Sequence, residues 1–237
     1  MFSPDAITFL KGLEKNNTRE WFQPRKEIFD SKLKAPMFEL CESINAELLK
    51  FAPEHITEPK NAVYRIYRDT RFSTDKTPYK NHIGAMFPRR GLDKNWGAGY
   101  YFHVSAKEVG IACGLYGPGP EQLVKVRHFL AENHKLFRTA NKLMGSLQGA
   151  KLQRMPKGFD PEHPAADLIK MKQWYWWVEL DPKLATSRQL KSEIAKRFKA
   201  MAPMVELLNK PLLGKRSAPA QFAARDRGDA EESGSDE

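Results

Sequence analysis

The chain has 237 residues and a formal net charge of +10, from 39 Lys and Arg residues against 29 Asp and Glu residues. Its hydrophobic fraction of 41%, with 14 Phe, 7 Tyr and 5 Trp, excludes a disordered chain and is enough for a sizeable core. Two cysteines exclude a disulfide-dense scaffold and a four-cysteine metal site. The sequence has neither a long apolar run nor a basic, secretory-type start, so it predicts a cytoplasmic protein without a membrane partner.

The C-terminal segment differs in charge from the rest of the chain. Residues 214–237 contain four basic and six acidic residues and are rich in Ala, Gly and Ser. This composition predicts a disordered acidic tail after a single domain that spans residues 1–213. The domain then carries a charge of +12. Such a charge favours anionic partners, although from the charge alone a solvated basic surface that serves solubility is the preferred interpretation.

Helical periodicity occupies both ends of the domain. Ser3 is a predicted N-cap followed by Pro4, and Thr18 is a predicted cap for the next helix. Pro36 is expected to break or kink that helix, because proline lacks the amide hydrogen. After Pro120 we predict a helix, then further helices at 134–147 and 164–171. A capping box from Thr186 to Gln189 predicts the start of the last helix.

Between the helical blocks the hydrophobic period changes to two. A tight turn at Ala106–Lys107 separates two of these alternating runs, and a further aromatic run follows late in the chain. Five strands are predicted, at 63–72, 82–88, 98–105, 108–116 and 173–180. Strands grouped between helices favour a single α+β domain, with a mostly antiparallel sheet flanked by N-terminal and C-terminal helices.

Basic residues concentrate in one part of the domain. Residues 60–90 contain eight basic and two acidic residues, half of the domain's net charge. Arginine forks and lysine ammonium groups bind phosphate or carboxylate, and tyrosines interleave with them here. The predicted anion-binding residues are Arg65, Arg68, Arg71, Lys76 and Lys80. The alternative is an internal Arg–Asp network that stabilises the fold.

Three residues are candidates for proton transfer. Strand alternation would place Asp69 beside Arg65 and Arg71, and would place Tyr101 beside His103 on a polar face. A histidine titrates near neutral pH and serves as a general acid or base, although a hydrogen-bonded structural histidine is the simpler explanation. We therefore predict catalytic roles for Asp69, Tyr101 and His103, on one concave face with the arginines.

Several familiar motifs are absent or incomplete. Gly114–Gly119 follows a strand and precedes a helix, as a phosphate loop would. Pro118 and Pro120, however, remove two amide donors from it. The chain has no HExxH, CxxC or GxSxG sequence. The sequence predicts no metal site and no cofactor.

The longest motif carries a resemblance to a known family. Residues 65–80 read RIYRDTRFSTDKTPYK, and the segments 16–22, 99–103 and 156–168 match the same family. In these segments the chain resembles the conserved hypothetical proteins catalogued as domain of unknown function 2461, over about residues 3–210. The resemblance implies a single α+β domain and assigns no reaction.

Three functions are consistent with the sequence. The first is binding of a phosphorylated or carboxylated small molecule at the basic cluster, with chemistry performed on it there. The second is a nucleic-acid-binding module, for which we expect only weak and non-specific binding. The third is a structural or interaction protein with an internal Arg–Asp network. A focused cleft would favour the first, and a basic stripe across the surface the second.

Overall fold

Residues 1–94 and 96–213 are described by a computed structural model, so the predicted tail at 214–237 lies outside the described residues. A four-stranded antiparallel sheet has the order β1-β2-β3-β4, which is also the chain order. The strands are β1 (His82–Phe87), β2 (Gly99–Ser105), β3 (Val109–Leu115) and β4 (Trp174–Leu180). Four of the predicted strands are thereby confirmed. The predicted tight turn joins β2 to β3, where the Ser105 hydroxyl accepts from the Lys107 and Glu108 amides.

Helices precede and follow the sheet. The N-terminal block contains α1 (Pro4–Lys15), α2 (Arg19–Phe22), α3 (Lys26–Phe29), α4 (Ala35–Leu48) and α5 (Pro59–Ala62). After β3 come α6 (Pro120–Asn141) and α7 (Ala166–Ile169), and α8 (Leu190–Asn209) follows β4. Ser3 and Thr18 cap α1 and α2 through their hydroxyl oxygens, as predicted. The predicted single α+β domain is confirmed.

Residues 63–72 do not form the predicted strand. The backbone makes only isolated bridges there, from Val63 to Ala85 and from Tyr67 to Tyr79. The rest of the segment folds back on residues 73–80, with the Arg68 amide donating to the Pro78 carbonyl. An alternating pattern yields a strand only where a continuous partner ladder is available. The alternation argument that grouped Arg65 and Asp69 with His103 therefore fails.

Three helix boundaries also differ from the predictions. Pro36 does not break its helix. Instead a five-residue π-helix, Asp30–Lys34, precedes α4, and Pro36 lies in the first turn of α4. The two helices predicted after Pro120 meet at a kink at Asn133, next to the predicted start at 134, but the second ends at Asn141 and not at 147. The capping box is wrong, because Thr186 ends a 3-10 helix and α8 begins at Leu190.

One face of the sheet forms the core of the domain. Its apolar side chains are buried against α4 and α8, and Phe198 of α8 packs against Tyr100 and Phe102. Cys113 lies on the same face and is buried, as alternation predicts. None of the helices in residues 1–94 and 96–213 combines the length and apolar character that a bilayer crossing requires.

Candidate functional site

The second face of the sheet, which we term the polar face, carries the residues that alternate with the core. Register places Gly84 opposite His103, His103 opposite Gly110, and Gly110 opposite Glu179. The strand residues that define the face here are His82, Gly84, Tyr101, His103, Gly110, Trp177 and Glu179. The buried apolar face and this polar face thus share the same four strands.

Two glycines allow large side chains to lie flat on the polar face. A Cβ atom at Gly84 would lie 2.7 Å from the Tyr101 hydroxyl oxygen. A Cβ atom at Gly110 would lie 2.6 Å from the Trp177 ring and 2.7 Å from His103 Cε1. Such distances are shorter than carbon contacts allow, so glycine at both positions permits this packing.

A hydrogen-bonded chain runs across the polar face. Tyr101 Oη lies 3.2 Å from His103 Nδ1, and His103 Nε2 lies 3.0 Å from Glu108 Oε1. A neutral imidazole has one N–H and one acceptor nitrogen. With Glu108 as a carboxylate, Nε2–H donates to it and Nδ1 accepts from the Tyr101 hydroxyl. Tyr101 and His103 were both predicted, and the structure brings them together.

The surroundings of Tyr101, His103 and Glu108 favour the uncharged forms of these side chains. Burial, and to a smaller extent His82, lowers the pKa of His103 from 6.5 to about 4. Burial also raises the pKa of Tyr101 above its usual range. Burial and the neighbouring Glu179 carboxylate raise the pKa of Glu108. At neutral pH the imidazole is therefore neutral, and the tyrosine retains its proton.

Two lysines lie beside the polar face, at Tyr64. The centroids of the Tyr64 and Tyr101 rings are 6.3 Å apart. Lys80 Nζ lies 5.4 Å and Lys94 Nζ lies 4.4 Å from the centroid of the Tyr64 ring. Burial lowers the pKa of both ammonium groups. Lys80 also contributes to lowering the pKa of His82, whose ring is 4.7 Å from that of His103. Lys80 is thus linked to Tyr101 through the Tyr64 ring and to His103 through His82.

Other predicted cations have local partners in the loop. Arg71 forms an ion pair with Asp69 at 2.8 Å, and Arg68 pairs with Asp75. Lys76 Nζ donates to the carbonyl oxygen of Thr70. Arg71 lowers the pKa of Asp69 to about 2, so this carboxylate is held in its charged form. Within residues 1–94 and 96–213, no hydrogen bond or ion pair joins Asp69 to the Tyr101–His103 pair.

Arg65 lies in a separate groove. The groove has a volume of about 440 Å³, lies between the α3–α4 region and residues 60–67, and includes Lys34, Lys60 and Phe29 in its lining. Tyr64 also lines this groove and is therefore shared between the groove and the polar face. The predicted anion-binding residues are consequently divided among the polar face, this groove and an exposed loop.

The sequence reasoning missed several members of the polar face. His82 could have been found by alternation, since it lies two residues before Gly84 in β1. Glu179 could have been found likewise from its spacing to Trp177. Glu108 could also have been found, since it begins the predicted strand 108–116 at the same parity as Gly110. Lys94 had no such indication, because it lies in the loop between β1 and β2. Among the described side chains, no three of His, Cys, Asp or Glu form a group suited to hold a metal ion.

Comparison with known proteins places the chain in a family. Neither the curated proteins nor the solved structures contain a match to it. One family model, described as conserved hypothetical protein (DUF2461), matches residues 5–207. That match covers nearly all of the described domain and agrees with the resemblance of the motif at 65–80. The chain therefore belongs to the conserved hypothetical protein family DUF2461.

Proposed function

We propose that the protein binds a small molecule bearing a phosphate or carboxylate at the polar face and exchanges a proton with it. The observation that supports this is the chain from Tyr101 through His103 to Glu108, with contacts of 3.2 and 3.0 Å. A hydroxyl, an imidazole and a carboxylate in hydrogen-bonded sequence form the arrangement that general acid–base catalysis uses.

The hydrogen-bonded residues Tyr101, His103 and Glu108 can move one proton without leaving a buried charge unpaired. A ligand proton passes to Tyr101 Oη as the tyrosine hydroxyl proton passes to His103 Nδ1. The resulting imidazolium lies beside the Glu108 carboxylate, which offsets its charge. The reverse movement donates a proton to the ligand. A neutral imidazole is the state that can accept this proton, and burial, which lowers the pKa of His103, favours that state.

Lys80 and Lys94 would provide the positive charge for the oxyanion. Lys80 Nζ donates to the carbonyl oxygen of Arg65, and Lys94 Nζ donates to that of Asn61. An ammonium group has three donors, so each lysine retains two for a ligand. Both side chains are half-buried, and charge interactions are screened less there than at the surface.

A thermal-shift screen with matched lysine variants tests the binding. We would screen glucose 6-phosphate, AMP, citrate and pyruvate against the wild type, Lys80→Met and Lys76→Met. Both lysines donate to a backbone carbonyl, but Lys76 lies in the exposed loop. A ligand at 100 times its Kd stabilises the native state by about 2.7 kcal/mol. We expect at least one compound to stabilise the wild type and Lys76→Met but not Lys80→Met. No stabilisation by any compound, or an undiminished shift in Lys80→Met, would contradict the proposal.

Calorimetry tests the proton exchange separately. Binding of the compound found in the screen is measured in two buffers of different ionisation enthalpy, for the wild type and for His103→Gln. A difference in apparent binding enthalpy between the buffers reports protons taken up or released. We expect that difference in the wild type and its loss in His103→Gln. If the wild type and His103→Gln take up or release the same number of protons, His103 does not exchange a proton with the ligand and the polar face only binds it.

A second candidate function is that of a structural or interaction protein, in which an Arg–Asp network stabilises the fold. The loop that carries Arg68 favours it. The Arg68 guanidinium donates to Asp75 and to the Thr77 hydroxyl, and Asp75 accepts from the Thr77 amide. These contacts close a network within the loop, which supports the structural reading of the Arg–Asp pairs. Arg68 and Arg71 would then hold the loop, while the ligand is bound elsewhere.

A further inference from the structure

A cavity lies at the other end of β3 from Glu108. It has a volume of about 430 Å³ and is formed by the loop after β3, the start of α6 and two segments on either side of α7. Its lining includes Tyr116, Pro118, Leu123, Arg127, Leu152 and Lys172. None of these residues belongs to the polar-face site described above.

Arg127 is a buried cation in this cavity without a carboxylate partner. Arg127 is 8% exposed, and its Nη2 donates to the Met171 carbonyl oxygen at 3.0 Å. Its Nε atom is buried and has no hydrogen-bond partner in residues 1–94 and 96–213. No ion pair involves this guanidinium in the same part of the chain. A buried charge is costly unless an opposite charge accompanies it.

Arg138, on the same helix, shows how an arginine is satisfied when a structural partner exists. Its guanidinium donates to both oxygens of Asp167, at 2.7 and 3.3 Å, and to the Pro164 carbonyl. It is also half-exposed, with 46% of its side-chain surface accessible. Arg127 is more deeply buried and yet has only a single carbonyl acceptor. Within the described chain, the counter-charge that its burial calls for is therefore missing.

The walls of the cavity are apolar and aromatic. Tyr116 is 64% exposed, and its ring contacts that of Tyr175 edge-on at 5.1 Å. Leu123 and Leu152 are half-buried, and Lys172 is exposed. A buried guanidinium, apolar walls and a second cation form a combination suited to an organic anion.

We infer that this cavity is a second binding site, for a small organic phosphate or carboxylate. The oxyanion contacts Arg127, and the apolar body of the ligand lies against Tyr116 and Leu123. The inference agrees with the rejection of Gly114–Gly119 as a phosphate loop, because a side chain and not the loop amides supplies the donors. It adds a site that the proposed function does not use.

Phenyl phosphate, inorganic phosphate and benzyl alcohol are suitable probes. Their affinities would be measured by isothermal titration calorimetry with the full-length wild type, Arg127→Met, Arg127→Lys and the control Arg138→Met. We expect phenyl phosphate to bind the wild type and Arg138→Met most tightly, inorganic phosphate more weakly, and benzyl alcohol not measurably. We expect at least a tenfold loss of phenyl phosphate affinity in Arg127→Met and a smaller loss in Arg127→Lys. Lys80→Met should retain wild-type affinity, which separates this site from the polar face.

The stability of the ligand-free variants completes the test. Replacing an uncompensated buried charge by a residue of similar volume is often neutral or stabilising. We therefore expect the melting temperature of Arg127→Met to equal or exceed that of the wild type. Unchanged phenyl phosphate affinity in Arg127→Met, or no binding by the wild type, would overturn the inference. A large drop in melting temperature that Arg127→Lys restores would also overturn it, by assigning Arg127 to holding the Met171 carbonyl.

Discussion

The two faces of the sheet are built from alternate residues of the same strands and have opposite properties. On the core face, Phe102 is fully buried and packs against Phe87 and Phe198. On the polar face, its neighbours Tyr101 and His103 hydrogen-bond to each other and to a glutamate. The backbone environment is shared, so the difference between the faces lies in the side chains alone.

This difference indicates where stability and function reside in the domain. Burying an apolar ring contributes to folding, whereas burying a histidine with a strongly lowered pKa costs free energy. Proteins retain such groups most often at functional sites. The polar face therefore carries features that stability alone does not favour.

The largest expected effect is on the core face. Phe102→Ala should lower the free energy of unfolding by about 3–5 kcal/mol, because it leaves a cavity among rings. Tyr101→Phe removes one hydroxyl from the polar face and should lower it by about 1 kcal/mol or less. Urea denaturation of both variants provides the measurement. A loss in Tyr101→Phe as large as that in Phe102→Ala would show that the polar face is also structural.

A pH-dependent effect is expected on the polar face. The pKa of His103 is about 4 in the folded protein against an ordinary 6.5. As pH falls below 6.5 the unfolded chain binds the proton first, so the stability associated with neutral His103 is lost between pH 6.5 and 4. It is fully present above pH 6.5. This contribution is about 3 kcal/mol for such a shift.

His103→Gln isolates that contribution. The variant retains His82, Glu108 and Glu179, so their titrations largely cancel when its unfolding free energy is subtracted from that of the wild type. As the pH of the urea denaturation is lowered from 7 to 4, we expect the wild type to lose more unfolding free energy than His103→Gln does. A difference that is constant with pH, or that shifts towards the wild type, would show that the folded protein does not disfavour the charged imidazole.

The loop arginines are expected to have smaller effects. The Arg68 side chain is 26% exposed and has two side-chain partners, whereas the Arg71 side chain is 77% exposed. Exposed ion pairs contribute little to stability. Arg68→Ala should lower the melting temperature by a few degrees and Arg71→Ala should leave it nearly unchanged. Two unchanged melting temperatures would remove support for a structural network in this loop.

The smallest effect concerns nucleic acid. Residues 1–213 carry a charge of +12, so we expect weak, non-specific binding that falls steeply with salt. Deleting residues 214–237 should strengthen the binding modestly, because the segment carries a charge of −2. Affinities for a short single strand and a short duplex across salt concentrations measure this. Tight, base-dependent binding at physiological salt would instead favour a nucleic-acid-binding module.

Four strands could be predicted because large apolar residues alternate along them with polar or small residues, as Phe102 and His103 illustrate in β2. The same alternation at residues 63–72 was misleading. Its polar side chains bond within the loop, and its backbone finds only isolated partners at Val63 and Tyr67. An alternating pattern indicates which side chains would share a face of a strand, but it does not indicate whether a neighbouring strand is available to pair with it.

The polar-face site could be predicted only in part. Tyr101 and His103 lie two residues apart in one strand, so parity alone brings them together. Lys94 reaches Tyr64 from a loop between β1 and β2, and no local pattern predicts that contact. The grouping of Asp69 with Tyr101 and His103 assumed a strand that does not form, which is why the structure leaves this carboxylate in the loop, paired with Arg71.

The central claim is that His103 is neutral and links Tyr101 to Glu108. Nitrogen-15 NMR of the imidazole rings at pH 7 tests it most directly, with the His103 signals assigned by their loss in His103→Gln. The account predicts a neutral ring that is protonated at Nε2, with an acceptor Nδ1 whose chemical shift changes in Tyr101→Phe. A ring protonated on both nitrogens, or a neutral ring protonated at Nδ1, would contradict the proposed direction of the hydrogen-bonded chain.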